Sequence, residues 1–494
     1  MNPDELQELE TALGSSSSEE IDKIVTKFKD KRPTPEPEVE EIKKQLDPEQ
    51  HDVFDEQKRP KKKIKADEGE DANAGTKTVT DSKGHKSTIR MKFEEVARVG
   101  LSYQSKIINT AAAFAFGTPV KYTSDTKDPS ELAVLETLKR VIHDNKMQYF
   151  DQDIAQELFG FTEVAELWYP FDSGIEHQNY GFPTKIKLKV SAFKPSKGDK
   201  LYPYFDATGD MIAFGRAFVV KEEGKDVDYF EVYTPGTVHQ FKKTDGWAPV
   251  DGYPINVSID KIQIIYGNQD RPEYYPVQNI IKDDENLRSN FSDTNAYHAD
   301  PTTVVKGKIN GFSKKGQSGR VLEIGTDADV SLLESKNAAE GIKTQHLMNR
   351  EDIFSLTQTP DVSFNSMKSI GQLGAAAQKL LFMDAHLKVK SKEIFLGPYL
   401  QRRINIIKAF IGDLNQSLKV ASETVMISPE ITPFIMGDDK ETVDIVATAI
   451  NGGFMSKKTG VQQLGWAPDV EAELAQIATE EQVTNTLNMF PPAQ

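Results

Sequence analysis

Lys185-Ile186-Lys187-Leu188-Lys189-Val190 alternates a cation with an aliphatic residue, the period of a strand with one wet face and one dry face. The period of two holds from Thr162 to Gly267. Within it Tyr229–Tyr233 and Thr237–Phe241 flank Pro235-Gly236, a tight turn, and Ile262-Gln263-Ile264-Ile265-Tyr266 closes the series. Before this stretch the period is helical. Phe93, Val96, Ala97, Leu101, Ile107, Ile108, Ala111 and Phe114 predict a helix that Gly117 and Pro119 close. A second helix is expected over Ser130–Asn145, with Ser130 as N-cap, and a third over Tyr149–Gly160. Together these predict an α+β region whose antiparallel sheet is half exposed.

After the strands, Pro276 opens a helix with Val277, Ile280, Ile281, Leu287 and Phe291 on one stripe and Lys282, Asp283 and Glu285 away from it. It ends before Pro301. A strand pair follows, Thr302–Ile309 with Arg320–Ile324, joined through Gly311–Gly319. Another helix is predicted from about Ala338 to Leu356, then a glycine-punctuated loop, Asp361–Gly374, then a long helix from Ala375 that Pro398 must kink or break. Lys440–Glu480 reads as a small helical unit.

The first 57 residues hold 17 acidic and 7 basic side chains, a serine run and Pro33, Pro35 and Pro37, followed by the basic cluster Lys58, Arg59, Lys61, Lys62, Lys63 and Lys65. Such composition predicts an arm with little core, ordered against neighbouring subunits. The basic cluster suits nucleic acid, but its acidic flanks can neutralise it.

With 60 Lys and Arg against 76 Asp and Glu, the 494-residue chain carries a formal net charge of −16. A protein that grips nucleic acid through its phosphates normally has the opposite sign, so any DNA contact must be local or loose. There is no cysteine, which excludes disulfides and thiolate chemistry. No two of the eight histidines lie within four residues, so paired-His metal spacings are absent. Gly69 to Gly75-Thr76-Lys77 is a poor phosphate loop without a preceding strand, and Glu163/Glu166 is one of many chance carboxylate pairs. These readings predict no enzyme, no metal, no cofactor and no membrane span.

Four segments carry a resemblance. They are Lys106-Ile107-Ile108-Asn109 through Gly117-Thr118-Pro119-Val120-Lys121-Tyr122; Phe291-Ser292-Asp293-Thr294-Asn295 with Pro301 and Lys306-Gly307; Thr357-Gln358-Thr359-Pro360-Asp361-Val362-Ser363-Phe364 with Met367-Lys368; and Gln401-Arg402-Arg403-Ile404-Asn405. In order and spacing, over residues 90 to about 425, the chain resembles the siphophage-type portal proteins of tailed bacteriophages. Where a Ser-Gly pair would be expected after the loop, it has Gly374-Ala375-Ala376-Ala377.

The resemblance implies a homo-dodecameric ring around a channel for double-stranded DNA, at the portal vertex of the virion capsid and assembled in the host cytoplasm. Its implied partners are terminase, the head–tail connector, and the major capsid and scaffolding proteins. Residues 1–88 lie outside the resemblance and read from composition as a flexible charged N-terminal arm; the resemblance implies a wing (89–275), a stem helix (276–300), a small α/β clip (301–337), a second stem helix (338–358), a channel loop (359–374), a long kinked wing helix (375–430) and a helical crown (431–494). Asn365, Lys368 and Gln372 would face the DNA, and Pro360, Gly371 and Gly374 would let the loop change shape. Lys306, Lys308, Lys314, Lys315 and Arg320, set against the acidic run 321–334, would form charge-segregated clip contacts. Lys379, Lys388, Lys390, Lys392, Arg402, Arg403 and Lys408 form a basic stripe for which DNA, subunit contacts and a plain wet face compete. The alternative is a head-completion or scaffolding protein that binds capsid subunits without encircling DNA.

Overall fold

The computed structural model describes residues 3–14, 17–66, 69–80, 84–298, 303–306, 309–312, 322–324, 329–332, 339–361, 382–434, 439–467 and 470–489. The chain divides into two units, one drawn from residues 1–360 and 385–433, the other from 361–384 and 434–494.

The first unit starts with helices α1 (Pro3–Leu13), α2 (Ser18–Asp30) and α3 (Val39–Leu46). Strands β1 (Lys62–Lys65), β2 (Thr76–Thr80) and β3 (Lys86–Glu94) form a small sheet in the order β1-β3-β2. Helix α4 (Tyr103–Phe116), strand β4 (Lys121–Thr123) and helices α5 (Pro129–Asp144) and α6 (Met147–Phe161) follow. The N-cap of α5 is Asp128, two residues earlier than expected: its carboxylate accepts from the N–H groups of Ser130 and Glu131, and Pro129 takes the first helical position.

Strands β5 (Glu163–His177) and β6 (Thr184–Phe193) then begin the antiparallel region. Strands β7 (Lys200–Phe205), β8 (Met211–Glu222), β9 (Lys225–Thr234), β10 (Thr237–Lys243) and β11 (Trp247–Pro249) form a meander, with β12 (Ile255–Asn256) beside β10. Strand β13 (Ile264–Asn268) returns to pair with β5. The turn at Pro235-Gly236 joins β9 to β10, with Gly236 at φ +81° where a side chain would be strained.

The meander is covered on both faces over much of its length, whereas the outer part of the β5–β6 pair keeps exposed residues. Leu9, Leu13, Ile21, Ile24, Val25 and Phe28 of α1 and α2 are buried with Tyr202, Tyr204, Ile212, Phe230, Val232 and Phe241 of the meander. A second cluster, including Phe193, Phe214, Tyr233 and Ile264, fills the space between the two sheets. The arm expected to lack a core is therefore part of one: Ile21, Ile24, Val25 and Phe28 make a helical stripe that the surrounding charge conceals. Gly215 permits the approach, since a Cβ there would lie 2.8 Å from Phe230 and 3.0 Å from Phe28.

Helix α7 (Gln278–His298) leads into strands β14 (Thr303–Lys306), β15 (Ile309–Phe312), β16 (Leu322–Ile324) and β17 (Asp329–Leu332), and helix α8 (Ala339–Leu356) follows. The strands form nested antiparallel pairs, β15 with β16 inside and β14 with β17 outside. The expected single pair was thus incomplete, because the acidic stretch containing Asp329 supplies a fourth strand. Helix α9 (Met383–Leu414) runs unbroken through Pro398. Only the Ile394 carbonyl loses its donor, and Ile394 lies on the solvent side. Helix α10 (Lys419–Thr424) and β18 (Ser428–Glu430), paired with β4, complete the unit.

In the second unit the described residues form α11 (Asp439–Asn451), α12 (Lys457–Leu464) and α13 (Val470–Met489). Gly460 lets α12 approach Val446 and Ile450 of α11.

Candidate functional site

Residues 95–101, expected to continue a helix, are extended, and α7 explains why. Glu285, Ser289 and Asp293 recur every four residues, about 6 Å along a helix. Alternate amides of an extended chain recur at about 6.6 Å. The two rows match. Leu101 N–H donates to Glu285 Oε1 (2.9 Å), Val99 N–H to Ser289 Oγ (3.0 Å) and Ala97 N–H to Asp293 Oδ1 (2.7 Å). Glu285, placed by the sequence on the wet side, is buried.

The segment before β1 closes over the same helix. His51 Nδ1 lies 2.5 Å from Glu285 Oε1, and its Nε2 lies 2.9 Å from the Gln45 carbonyl. With an acceptor at each nitrogen, the ring is satisfied only as imidazolium. Burial by itself pulls the pKa down, but the bond to Glu285 and its charge outweigh that, and the pKa sits above its ordinary value. Arg59 donates to Asn290 Oδ1 (2.9 Å), Asp293 Oδ2 (3.0 Å) and the Ala97 carbonyl (3.0 Å), tying strap, arm and helix together. Lys58 meets Asp52, Lys61 meets Glu95 and Lys62 meets Asp293. Most of the basic cluster is therefore neutralised by the chain itself.

Helices α7 and α8 are joined by polar contacts, His346 Nδ1 to Asp284 Oδ1 (2.8 Å) and Asn349 Nδ2 to Asp283 Oδ2 (2.9 Å). At the end of α8 the Thr357 hydroxyl bonds the Ile353 carbonyl (2.7 Å), and Thr359 N–H the Phe354 carbonyl (2.9 Å). Gln358 sits at φ +50°, which turns the chain out of the helix before Pro360. Lys388 of α9 donates to the Thr357 carbonyl (2.9 Å) and pairs with Glu273 (2.8 Å), which Lys392 also meets. Burial alone would raise Glu273; two ammonium groups hold it below its ordinary value. Burial pulls Lys388 down in spite of Glu273.

About three turns beyond Lys392 along α9, Arg403 is fully buried. Its Nε and Nη2 form a fork on Glu166 of β5 (2.8 and 2.7 Å), and Nη1 makes a close ion contact with Asp151 of α6 (2.7 Å). Tyr399 OH (2.9 Å) and the Trp168 indole N–H also donate to Glu166. Burial, opposed by Arg403, pushes Asp151 up to about 6. Arg402 donates to the Ile264 carbonyl (2.8 Å) and Lys408 to that of Val425 (2.5 Å). Within the described residues the basic stripe is thus mostly internal wiring, and Lys390 pairs with Glu393 on the surface. Lys379 lies outside the described residues.

Glu163 and Glu166 are not a catalytic pair. Glu163 is held by Arg32 (2.6 Å) and Tyr266 OH (2.8 Å), and burial pushes it up to about 7. Lys77 lies in a strand, so Gly69–Lys77 has no helix N-terminus to cradle a phosphate. Of the residues predicted to face DNA or flex the loop, only Pro360 is described; Asn365, Lys368, Gly371, Gln372 and Gly374 lie outside the described residues. Lys306 sits in β14 opposite Asp329, while Lys308, Lys314, Lys315 and Arg320 lie outside them too.

The phage portal protein family described as SPP1 Gp6-like matches residues 56–486. The chain belongs to this family. The portal protein of Bacillus phage SPP1 is 21% identical over 420 residues, covering 78% of this chain and 76% of that protein. A solved chain from the neck of an empty GTA particle, computed with C6 symmetry, is 12% identical, covers 74% of this chain and 90% of its own, and gives a TM-score of 0.37. The protein is a phage portal, a structural component of the virion rather than an enzyme. Among the described residues no helix is long and apolar enough to cross a membrane.

Proposed function

We propose that twelve copies form a closed ring at one capsid vertex, through which duplex DNA is packaged and later released. In this reading α7 and α8 are the stem, the nested strands between them are the clip, and residues 359–374 are the channel loop. Terminase and then the head–tail connector dock on the clip, major capsid and scaffolding proteins surround the ring, and assembly takes place in the host cytoplasm. ATP hydrolysis belongs to the separate terminase motor.

The observation that carries this reading is the anchoring of α7, α8 and α9 at both ends of the loop. A conduit under packaging load must hold its frame while one segment moves. The Glu285–Ser289–Asp293 row, the Lys388 link and the Arg403 fork each tie a long helix to the α+β body. All three are charge-assisted or buried, the class of contact that costs most to break. The acidic background of the chain favours passage over gripping. Family membership leaves the head-completion alternative without support.

Electron microscopy of the purified protein with its native mass tests the reading. Rings of about twelve chains with an axial hole are expected. Compact dimers without a hole would contradict it.

A further inference from the structure

The strand quoted at the outset has a second use. Strand β13 pairs only with Glu163–Leu167 of β5, so beyond that point β5 and β6 run on as a two-stranded ribbon. Tyr169 lies opposite Lys189 and Phe171 opposite Lys187, and Lys185 follows two residues on. Residues directly opposite share a face, so these five side chains stand together. The other face is occupied at Trp168 and Leu188, which are buried, and Asn145, the C-cap of α5, donates to the Leu188 carbonyl (2.9 Å); Pro170 and Asp172 further out on that face are exposed.

On the lysine face Lys185 and Phe171 are exposed, while Tyr169, Lys187 and Lys189 are half-buried. Phe171 is 52% exposed. Some lysines of the first unit meet carboxylates, as Lys43, Lys58, Lys61, Lys139, Lys194 and Lys388 do. Among the described residues no ion pair joins Lys185, Lys187 or Lys189 to a carboxylate, in a chain with a net charge of −16. A guard against strand pairing needs lysine on an edge, but gains nothing from an exposed aromatic among the cations. Evenly pitched ammonium groups about 6.6 Å apart on a rigid strand, with rings between them, suit a repeating anion better than a shaped protein surface.

We propose that this ribbon face binds the phosphate backbone of double-stranded DNA on the body of the subunit, without regard to sequence. The proposal rests on the reading that the protein works beside packaged DNA. Point-charge lysines give weak, salt-sensitive contact, so DNA would be held lightly and released as salt rises.

The test is fluorescence anisotropy with a short mixed-sequence duplex from 50 to 200 mM salt, comparing wild type with K185Q/K187Q/K189Q. Losing three phosphate contacts should reduce the log–log salt slope by about 2.7 and weaken binding more than tenfold at low salt. A control, K221Q/K225Q/K242Q on the β8–β10 hairpins, should leave both unchanged. An unchanged slope in the ribbon variant, or no wild-type binding at 50 mM salt, overturns the proposal. So does a ribbon variant that no longer assembles, which would assign the face to an acidic surface of a second copy. Native mass judges the ring reading separately, because the slope reports on the lysine face in rings and single subunits alike.

Discussion

Replacing Arg403 by Met leaves Glu166 and Asp151 buried with no cation. Removing one partner of a buried pair typically costs about 3–5 kcal/mol. Tyr399 and Trp168 still donate to Glu166, which favours the lower end, about 3 kcal/mol or a factor of about 150 in the unfolding equilibrium. Denaturant unfolding followed by tryptophan fluorescence reads this directly, since Trp168 is bonded to the cluster. Burial already raises Asp151, and without Arg403 it binds a proton still more readily in the folded state than in the unfolded one. The folded form then gains relative stability as pH falls, and the deficit should shrink between pH 7 and pH 5. The triple variant R403M/E166Q/D151N should recover most of the loss, because a neutral cluster carries no uncompensated charge. A loss below about 1 kcal/mol, or one independent of pH, would refute the assignment of Arg403 as the cation that secures α9.

Further outcomes follow from the same contacts. The cluster sets two carboxylates against one guanidinium, and Asp151 is raised to about 6. The contribution of Asp151 to stability should therefore fall as pH rises from about 4 through 6, so the stability of D151N relative to wild type should rise over that range and be greatest at pH 8. His51 is raised, so its contribution is complete below about 6.5 and lost as pH climbs through the folded value. Corrected hydrogen exchange at Leu101, Val99 and Ala97 should quicken over that window in wild type and show no such step in H51Q. Phe28→Ala should cost about 3–5 kcal/mol in thermal or denaturant unfolding, as for a core aromatic; a change under 1 kcal/mol would return α2 to the status of a loose arm. K388M should free the turn at Thr357–Pro360, measured as faster proteolysis near residue 360, with α9 helicity unchanged by circular dichroism.

Periodicity made the order of elements legible. The switch from helical spacing to alternation at Thr162 and back at Pro276 needs only local sequence, and it placed α5 to α8 to within a few residues and located β6, β9, β10 and β13 within the strand region. Composition misled where charge was dense. The stripe Ile21, Ile24, Val25 and Phe28 was present, but acidic flanks made the arm look unable to pack. Val96, Ala97 and Leu101 have helical spacing, yet their backbone amides are needed by Glu285, Ser289 and Asp293, nearly two hundred residues away. Arg403 reads as one more cation on a wet stripe because its partner Glu166 is 237 positions distant. Charge counts along a chain cannot separate a solvated lysine from a buried fork. Conversely, the Lys185–Lys189 row was read as merely wet, and only the β5 register puts Tyr169 and Phe171 beside it.

The central claim is that these anchored helices serve a closed ring around a hole. Electron microscopy of the purified full-length chain, with native mass on the same sample, tests it most directly. The account expects rings of about twelve copies with an axial opening wide enough for duplex DNA. Single subunits that remain so at high concentration with scaffolding and capsid proteins present, or compact dimers without an opening, would contradict it.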